Sequence, residues 1–215
     1  MKDTDMVPPI SPVRESGAMA NFAYEVGMMR HLPREFKLAG FLNPVSVVEH
    51  IFRVAMMAWF IAEREGADVA RTVQLALAHD LPEARTTDHG LVASRYVVEN
   101  EEKAASDMLK DRLPSAYEAW KEYEHRESLE SKIVKDADHI DILLESCENA
   151  AHGFQFPKSW ESEFDFRRSR LTTETARQMF DDIRKTHPLA WYDTFTQKMC
   201  EDIAKHGTHK LKVVA

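Results

Sequence analysis

The sequence predicts an all-α fold in a single domain, and three observations carry that expectation. Only seven glycines occur among 215 residues, alternating runs of β-branched residues are few, and apolar residues recur at spacings of three and four. The hydrophobic share of 44% and charged share of 30% suit a chain that folds around a core. No composition shift, low-complexity stretch or internal repeat marks a second domain. Residues 1–17 are expected to form a flexible N-terminal segment, 18–206 the helical bundle and 207–215 a tail.

Taken in order, the first helix is expected over about Ala18 to Leu32, with Met19, Phe22, Val26 and Met29 on one core-facing side. The second starts at Ser46, where Ser-x-x-Glu with Glu49 forms a capping box, and runs to about Glu65 before Gly66. Asp68 caps a third that ends near Asp80, because Pro82 lacks an amide donor and disfavours helix before it. An exposed helix is expected over Glu99 to about Lys110. Ser115 and Glu118 repeat the capping pattern ahead of another that runs through about Glu127.

The most regular segment places Leu129, Ile133, Ala137, Ile140 and Leu144 on one face, so a long helix is predicted from about Ser128 to His152, stopping at Gly153. Residues 154–171 mix aromatics, Pro157 and charges without a clean period and read as a loop or broken helix. Two closing helices, about Thr173 to Lys185 and Pro188 to Lys205, follow from a Thr172 cap and from proline at a first helical turn.

Composition narrows the function classes. Met1 to Ser16 carries five charged residues and three prolines and so lacks the apolar core of an export signal. The apolar stretch Val54 to Ala62 is too short to span a membrane. Cys147 and Cys200 form no CxxC or Cys/His pattern, which fits a reducing cytoplasm. A net charge of −8 argues against a polymeric nucleic acid as partner.

Chemistry concentrates at His79-Asp80, two strongly hydrated side chains placed directly after the apolar run Leu75 to Ala78. Such a pair at the end of a buried helix is costly unless something compensates it. A divalent metal would compensate both, since neutral imidazole and ionised carboxylate are good ligands, but it needs more than two of them.

With those residues in view, the sequence resembles the HD-domain phosphohydrolases. The carriers are His50 in Ser-Val-Val-Glu-His, the pair in Ala-His-Asp-Leu-Pro-Glu, and Asp138 in Lys-Asp-Ala-Asp-His, over about Pro33 to Asn149. Asn-Pro-Val-Ser-Val-Val-Glu-His, residues 43–50, resembles the 5'-deoxynucleotidase branch. The resemblance implies an HD-type helical bundle and one divalent metal, Co, Mn, Fe, Ni or Zn, held by His50, His79, Asp80 and Asp138. It implies that Glu83 and Asp88 face substrate and attacking water, that the substrate is a nucleoside monophosphate, and that the protein is a homodimer. Phosphodiester or pyrophosphate cleavage, and a non-catalytic regulatory role, are the alternatives. Two imidazoles and two carboxylates would leave metal positions open for water and a phosphate oxygen.

Helical spacing alone leaves Asp136 and Asp141 as rivals to Asp138; the resemblance selects Asp138. Glu49 is explained by its capping box. Departures from the relatives' pattern are specific. Phe36, after Pro33-Arg34-Glu35, stands where a tryptophan is usual, Ala39 where an arginine is usual, and Thr87 where a glycine is common before Asp88. Arg34, Arg53 and Arg85 are the candidate phosphate contacts, an ion pair being the preferred reading of Arg53 and Arg85, and Phe36 can stack on a base or sugar, so Arg34 and Phe36 are the substrate-contact candidates.

Overall fold

The structure, a computed structural model, describes residues 18–37, 39–41, 44–98 and 100–206. The expectations for 1–17 and 207–215, and the parts of the motifs falling on Asn43 and Glu99, lie outside the described residues. Among the described residues the chain is all-α: α1 Ala18–Met28, α2 Val47–Glu65, α3 Val69–Ala78, α4 Glu83–Thr86, α5 Glu101–Leu109, α6 Pro114–His125, α7 Leu129–Ala151, α8 Ser159–Arg170, α9 Glu174–Ile183 and α10 Ala190–His206. One antiparallel bridge, Pro33 to Ser46, is the extended pairing they contain.

α7 is the axis of the bundle. Ile133, Val134, Ala137, Ile140 and Leu143 are fully buried against α2, α3, α6 and α9, whose Val54, Ala58, Ile61, Leu75, Ala76, Ala119, Ala176 and Phe180 complete the main core. Because partners surround it, α7 also buries Ser131, Asp136, Asp138, Asp141, Glu145, Ser146 and Asn149. Each such polar group costs stability unless it has a partner or a function.

Helix ends follow local chemistry. Ser46 and Glu49 make the full capping box on α2, and Gly66 at φ 69° ends it in the left-handed conformation glycine favours. Asp68 and Ser128 cap α3 and α7, and Gly153 at φ 93° follows α7.

Five expectations need correction. The first helix ends at Met28 rather than near Leu32, a 3-10 turn over Met29–His31 follows it and puts Met29 in the core, and Met19 at its start is 89% exposed because that end of α1 has little to pack against. α5 is amphipathic rather than exposed, burying Ala104, Ala105, Met108 and Leu109. α6 begins one residue before Ser115, at Pro114, whose missing N–H is free to occupy the first helical position. Segment 154–171 contains a regular helix, α8. Thr173, not Thr172, caps α9.

Candidate metal centre

Three elements bring the site together. The capping box fixes the first turn of α2 and turns His50 inward beside buried Val47, Ile51 and Val54. α3 stops at Ala78, and Pro82 holds the chain in tight turns, with Leu81 N–H donating to Ala78 O at 3.2 Å and Glu83 N–H to Asp80 O at 3.1 Å. His79 continues the α3 conformation as its C-cap, and the turn at Asp80 follows, so the pair lies at the helix end, while Asp138 lies at the middle of α7.

The donor atoms converge. His50 Nε2 lies 3.3 Å from His79 Nε2 and 3.3 Å from Asp80 Oδ2, and His79 Nε2 is 3.2 Å from the same carboxylate oxygen. Asp138 Oδ1 stands 3.5 Å from His50 Nε2. Each imidazole is held from its other side: His50 Nδ1 faces Asp141 Oδ2 at 2.6 Å, and His79 Nδ1 faces the Ala76 carbonyl at 2.7 Å. In the neutral ring an Nδ1–H donating to those oxygens leaves an Nε2 lone pair facing the centre, the orientation metal-ligating histidines adopt. Arg53 clamps Asp141 in turn and reaches Glu148 at 2.8 and 2.9 Å. Tyr123 packs edge-on against His79 with ring centroids 5.2 Å apart.

α7 separates the three rival aspartates. Asp136 turns away and accepts the Thr172 and Thr173 amides, each at 2.8 Å, tying down the start of α9. Asp141 holds His50. Asp138 alone of the three approaches the His50 Nε2 side, its other oxygen taking Lys135 Nζ at 2.7 Å.

Arg34 completes the polar wall. The bridge sets its backbone, with Arg34 N–H donating to Val45 O at 2.9 Å and Val45 N–H to buried Glu145 at 3.3 Å. Its Nη1 lies 3.4 Å from both Asp80 Oδ2 and Asp88 Oδ2, and Asp88 also accepts the Glu35 amide at 3.0 Å. Arg53 and Arg85 are spent elsewhere, Arg53 on α7 carboxylates and Arg85 on Glu25. Phe36 is buried, stacked on Phe41 at 5.1 Å.

The electrostatics of the cluster are set by burial and by its opposed charges. Burial, then the Asp80 and Asp88 carboxylates, push Glu83 up to about 10. Burial disfavours a charged His50, yet Asp141 and Asp80 outweigh it and raise His50 to about 9. Asp80 and Asp138 are held low against their burial, Asp80 by His79 and His50, Asp138 chiefly by Lys135 and His50. Glu83 Oε2 and Arg34 Nε are buried without hydrogen-bond partners. Two lone pairs, two carboxylates and two orphaned polar atoms fit a divalent ion with an oxyanion beside it.

His50, His79 and Asp80 thus meet, with donor atoms close enough to share one ion, Asp138 approaches His50 from α7, and Arg34, Glu83 and Asp88 stand around them. What the sequence did not assign are the supports. Asp141 is one helical turn from Asp138, a signal that placed it near the site without saying that it holds His50. Tyr123 and Glu145 carry no local signature.

The description HD domain belongs to the family model that matches residues 26–180. The chain is similar to "5'-deoxynucleotidase HDDC2" of Bos taurus, 32% identical over 153 residues, covering 65% of this chain and 73% of that one. The Homo sapiens protein of the same name is 31% identical, with 61% and 68% covered. Among solved structures, a conserved hypothetical protein from Pyrococcus furiosus superposes with a TM-score of 0.66 at 29% identity, covering 78% of this chain and 99% of that one.

Proposed function

The chain belongs to the HD domain family, and from that premise we propose that it is a metal-dependent phosphohydrolase that removes phosphate from nucleoside 5'-monophosphates. The observation that carries the reading is the convergence of two oriented Nε2 atoms and Asp80 Oδ2 within 3.3 Å of one another. The relatives named 5'-deoxynucleotidase support the nucleoside monophosphate as substrate class.

His50, His79, Asp80 and Asp138 would hold the ion, which when bound supplies Lewis acidity to a phosphoryl oxygen and to water. No choice among Co, Mn, Fe, Ni and Zn follows from nitrogen and oxygen donors alone. Arg34 binds the phosphate: its guanidinium keeps its charge and has an unpartnered Nε–H. Asp88 fixes that guanidinium and the Glu35 amide, so it orients the phosphate clamp. Glu83, about one helical turn beyond Asp80, is the group that exchanges a proton with water or with the leaving oxygen.

A monoester is favoured over a diester by enclosure, because the Arg34, Asp80 and Asp88 side chains are at most 16% exposed. The test is phosphate release from a panel of nucleoside monophosphates, cyclic nucleotides and nucleoside polyphosphates after metal replacement. Release from monophosphates, abolished by chelation and restored by a divalent transition metal, is expected; turnover of cyclic nucleotides alone would transfer the assignment to a phosphodiesterase.

The partner we infer is a second copy of the chain. α2 exposes Val48, Phe52, Met56 and Trp59 along one side, 38–65% exposed, and α10 exposes Trp191, Phe195 and Met199 at spacings of four. These faces are the apolar surface a homodimer covers, and light scattering should return twice the chain mass. No described helix is long and apolar enough to cross a membrane.

A further inference from the structure

A cavity of about 350 Å³ is lined by chain neighbours of the metal-centre residues. Three of its walls continue directly from the residues of the reaction. Glu35 and Phe36 follow Arg34, Leu91 and Val92 follow the Asp88 segment, and Ile142 is one helical turn beyond Asp138 on α7. The fourth wall is α8, which presents Ser159, Trp160, Glu163 and Arg167 on one face. α8 is also hitched to the metal helix: Arg167 Nη1 lies 3.3 Å from Nδ1 of His139, the residue after Asp138.

The lining has two kinds of surface. Trp160 and Phe36, ring centroids 6.2 Å apart and tilted by 48°, form an aromatic corner backed by Phe41 and Phe156. At the edge, Glu163 holds Arg167 Nη2 through one oxygen at 2.6 Å, and Arg167 Nε has no partner. A flat ring with polar edges is the shape and chemistry that fit such a corner. Glu35 and Glu163 make the rim net acidic, so it disfavours further phosphates and favours a group bearing N–H donors.

We propose that this cavity is the nucleobase subsite of the metal-centred site, with α8 reading the base and guanine its preferred occupant. The proposal rests on the phosphohydrolase reading, because that reading places the phosphate at Arg34 and so the base one nucleoside length away. Guanine carries adjacent N1–H and N2–H donors that a carboxylate accepts as a pair, and an O6 acceptor for the guanidinium. Adenine and cytosine offer an amino group without an adjacent ring N–H, and thymine a ring N–H without an amino group.

The experiment compares dGMP, dAMP, dCMP, dTMP and 2-deoxyribose 5-phosphate as substrates of the metal-loaded wild type and of Glu163→Gln and Trp160→Ala. Calorimetric binding of dGMP and of 2-deoxyribose 5-phosphate is measured on the same samples. Glu163 is at the rim with a 38% exposed side chain, so its amide variant keeps the fold where Trp160→Ala could lose it. The expected result is highest kcat/KM for dGMP. In Glu163→Gln the ratio of dGMP to 2-deoxyribose 5-phosphate should fall about tenfold, the weight of one charge-assisted hydrogen bond. A ratio unchanged in Glu163→Gln, or a wild type that treats all five substrates alike, overturns the subsite. If the wild type turns over none of the five, the hydrolase reading fails by itself, and the binding data still decide: dGMP bound more tightly than the sugar phosphate, and less so in Glu163→Gln, upholds the subsite, while equal binding overturns it.

Discussion

Each of the four candidate ligands is held by a second residue that fixes its direction. Asp141 is the clearest case, since it receives His50 Nδ1 and is itself gripped by Arg53. Asp141→Asn keeps a carbonyl acceptor but removes the charge that makes the imidazole a stronger donor to metal. It should weaken metal affinity by about 10- to 100-fold with the fold intact, read by competition with a chelator; unchanged affinity would reduce Asp141 to a packing residue. On the resemblance drawn from the sequence, Phe36 stands in place of a tryptophan and Ala39 in place of an arginine. Discrimination between ribo and deoxyribo monophosphates should accordingly be weak, and Phe36→Ala should change it little because discrimination is already small. A strong deoxy preference indifferent to that variant would reject the idea. The four proposed ligands were legible through the family resemblance, whose motifs are short and ordered. The sequence could not tell Asp136, Asp138 and Asp141 apart by spacing, since spacing gives a helix face and not what lies opposite it.

Among the elements, the turn after α4 carries the most strain. Thr87 adopts φ 65° and ψ 164°, a region that is nearly exclusive to glycine and hardest on β-branched side chains. It stands immediately before Asp88, whose carboxylate must reach both Arg34 and the Glu35 amide. Thr87→Gly should raise stability by about 1 kcal/mol, strain relief less the added flexibility of the unfolded chain, as measured by urea denaturation. A loss of stability would mean that the threonine side chain makes a compensating contact. Regular periodicity made α2, α3 and α7 legible, including the end of α3 at the ligand pair. α8 was not legible because its inward positions, partly buried Trp160 and buried Phe164, share the helix with exposed Phe166 and with three arginines in its last turn. Its inward face is defined by aromatic partners, Phe156 just before it and Phe36 and Phe41 more than 100 residues away in the sequence.

For the molecule as a whole, the bundle explains how so many charges tolerate burial. α7 runs through the core, so its carboxylates are desolvated. Their compensation comes from several helices at once: His50 and Arg53 from α2, the His79-Asp80 turn after α3, Lys135 from α7 itself, and Arg34 from the bridged segment. The aromatic residues of the C-terminal half divide accordingly. Phe154, Phe156, Trp160 and Phe164 join the core, whereas Phe166, Trp191 and Tyr192 are 58–64% exposed. A Trp191→Asp, Phe195→Asp double variant should halve the mass seen by light scattering if α10 lies in the homodimer interface, and leave it unchanged if it does not.

Metal content and turnover measured together on Glu83→Gln and His79→Ala test the central claim, that this centre holds a metal and that Glu83 works beside it. Wild type should carry about one divalent ion per chain. Glu83→Gln should keep that ion, since glutamine preserves the volume and an acceptor oxygen, and should lose a factor on the order of 10² to 10⁴ in kcat because it cannot exchange a proton. His79→Ala should lose both ion and turnover. Metal retained in His79→Ala, or lost from Glu83→Gln together with activity, would contradict the assignment of ligands and proton carrier.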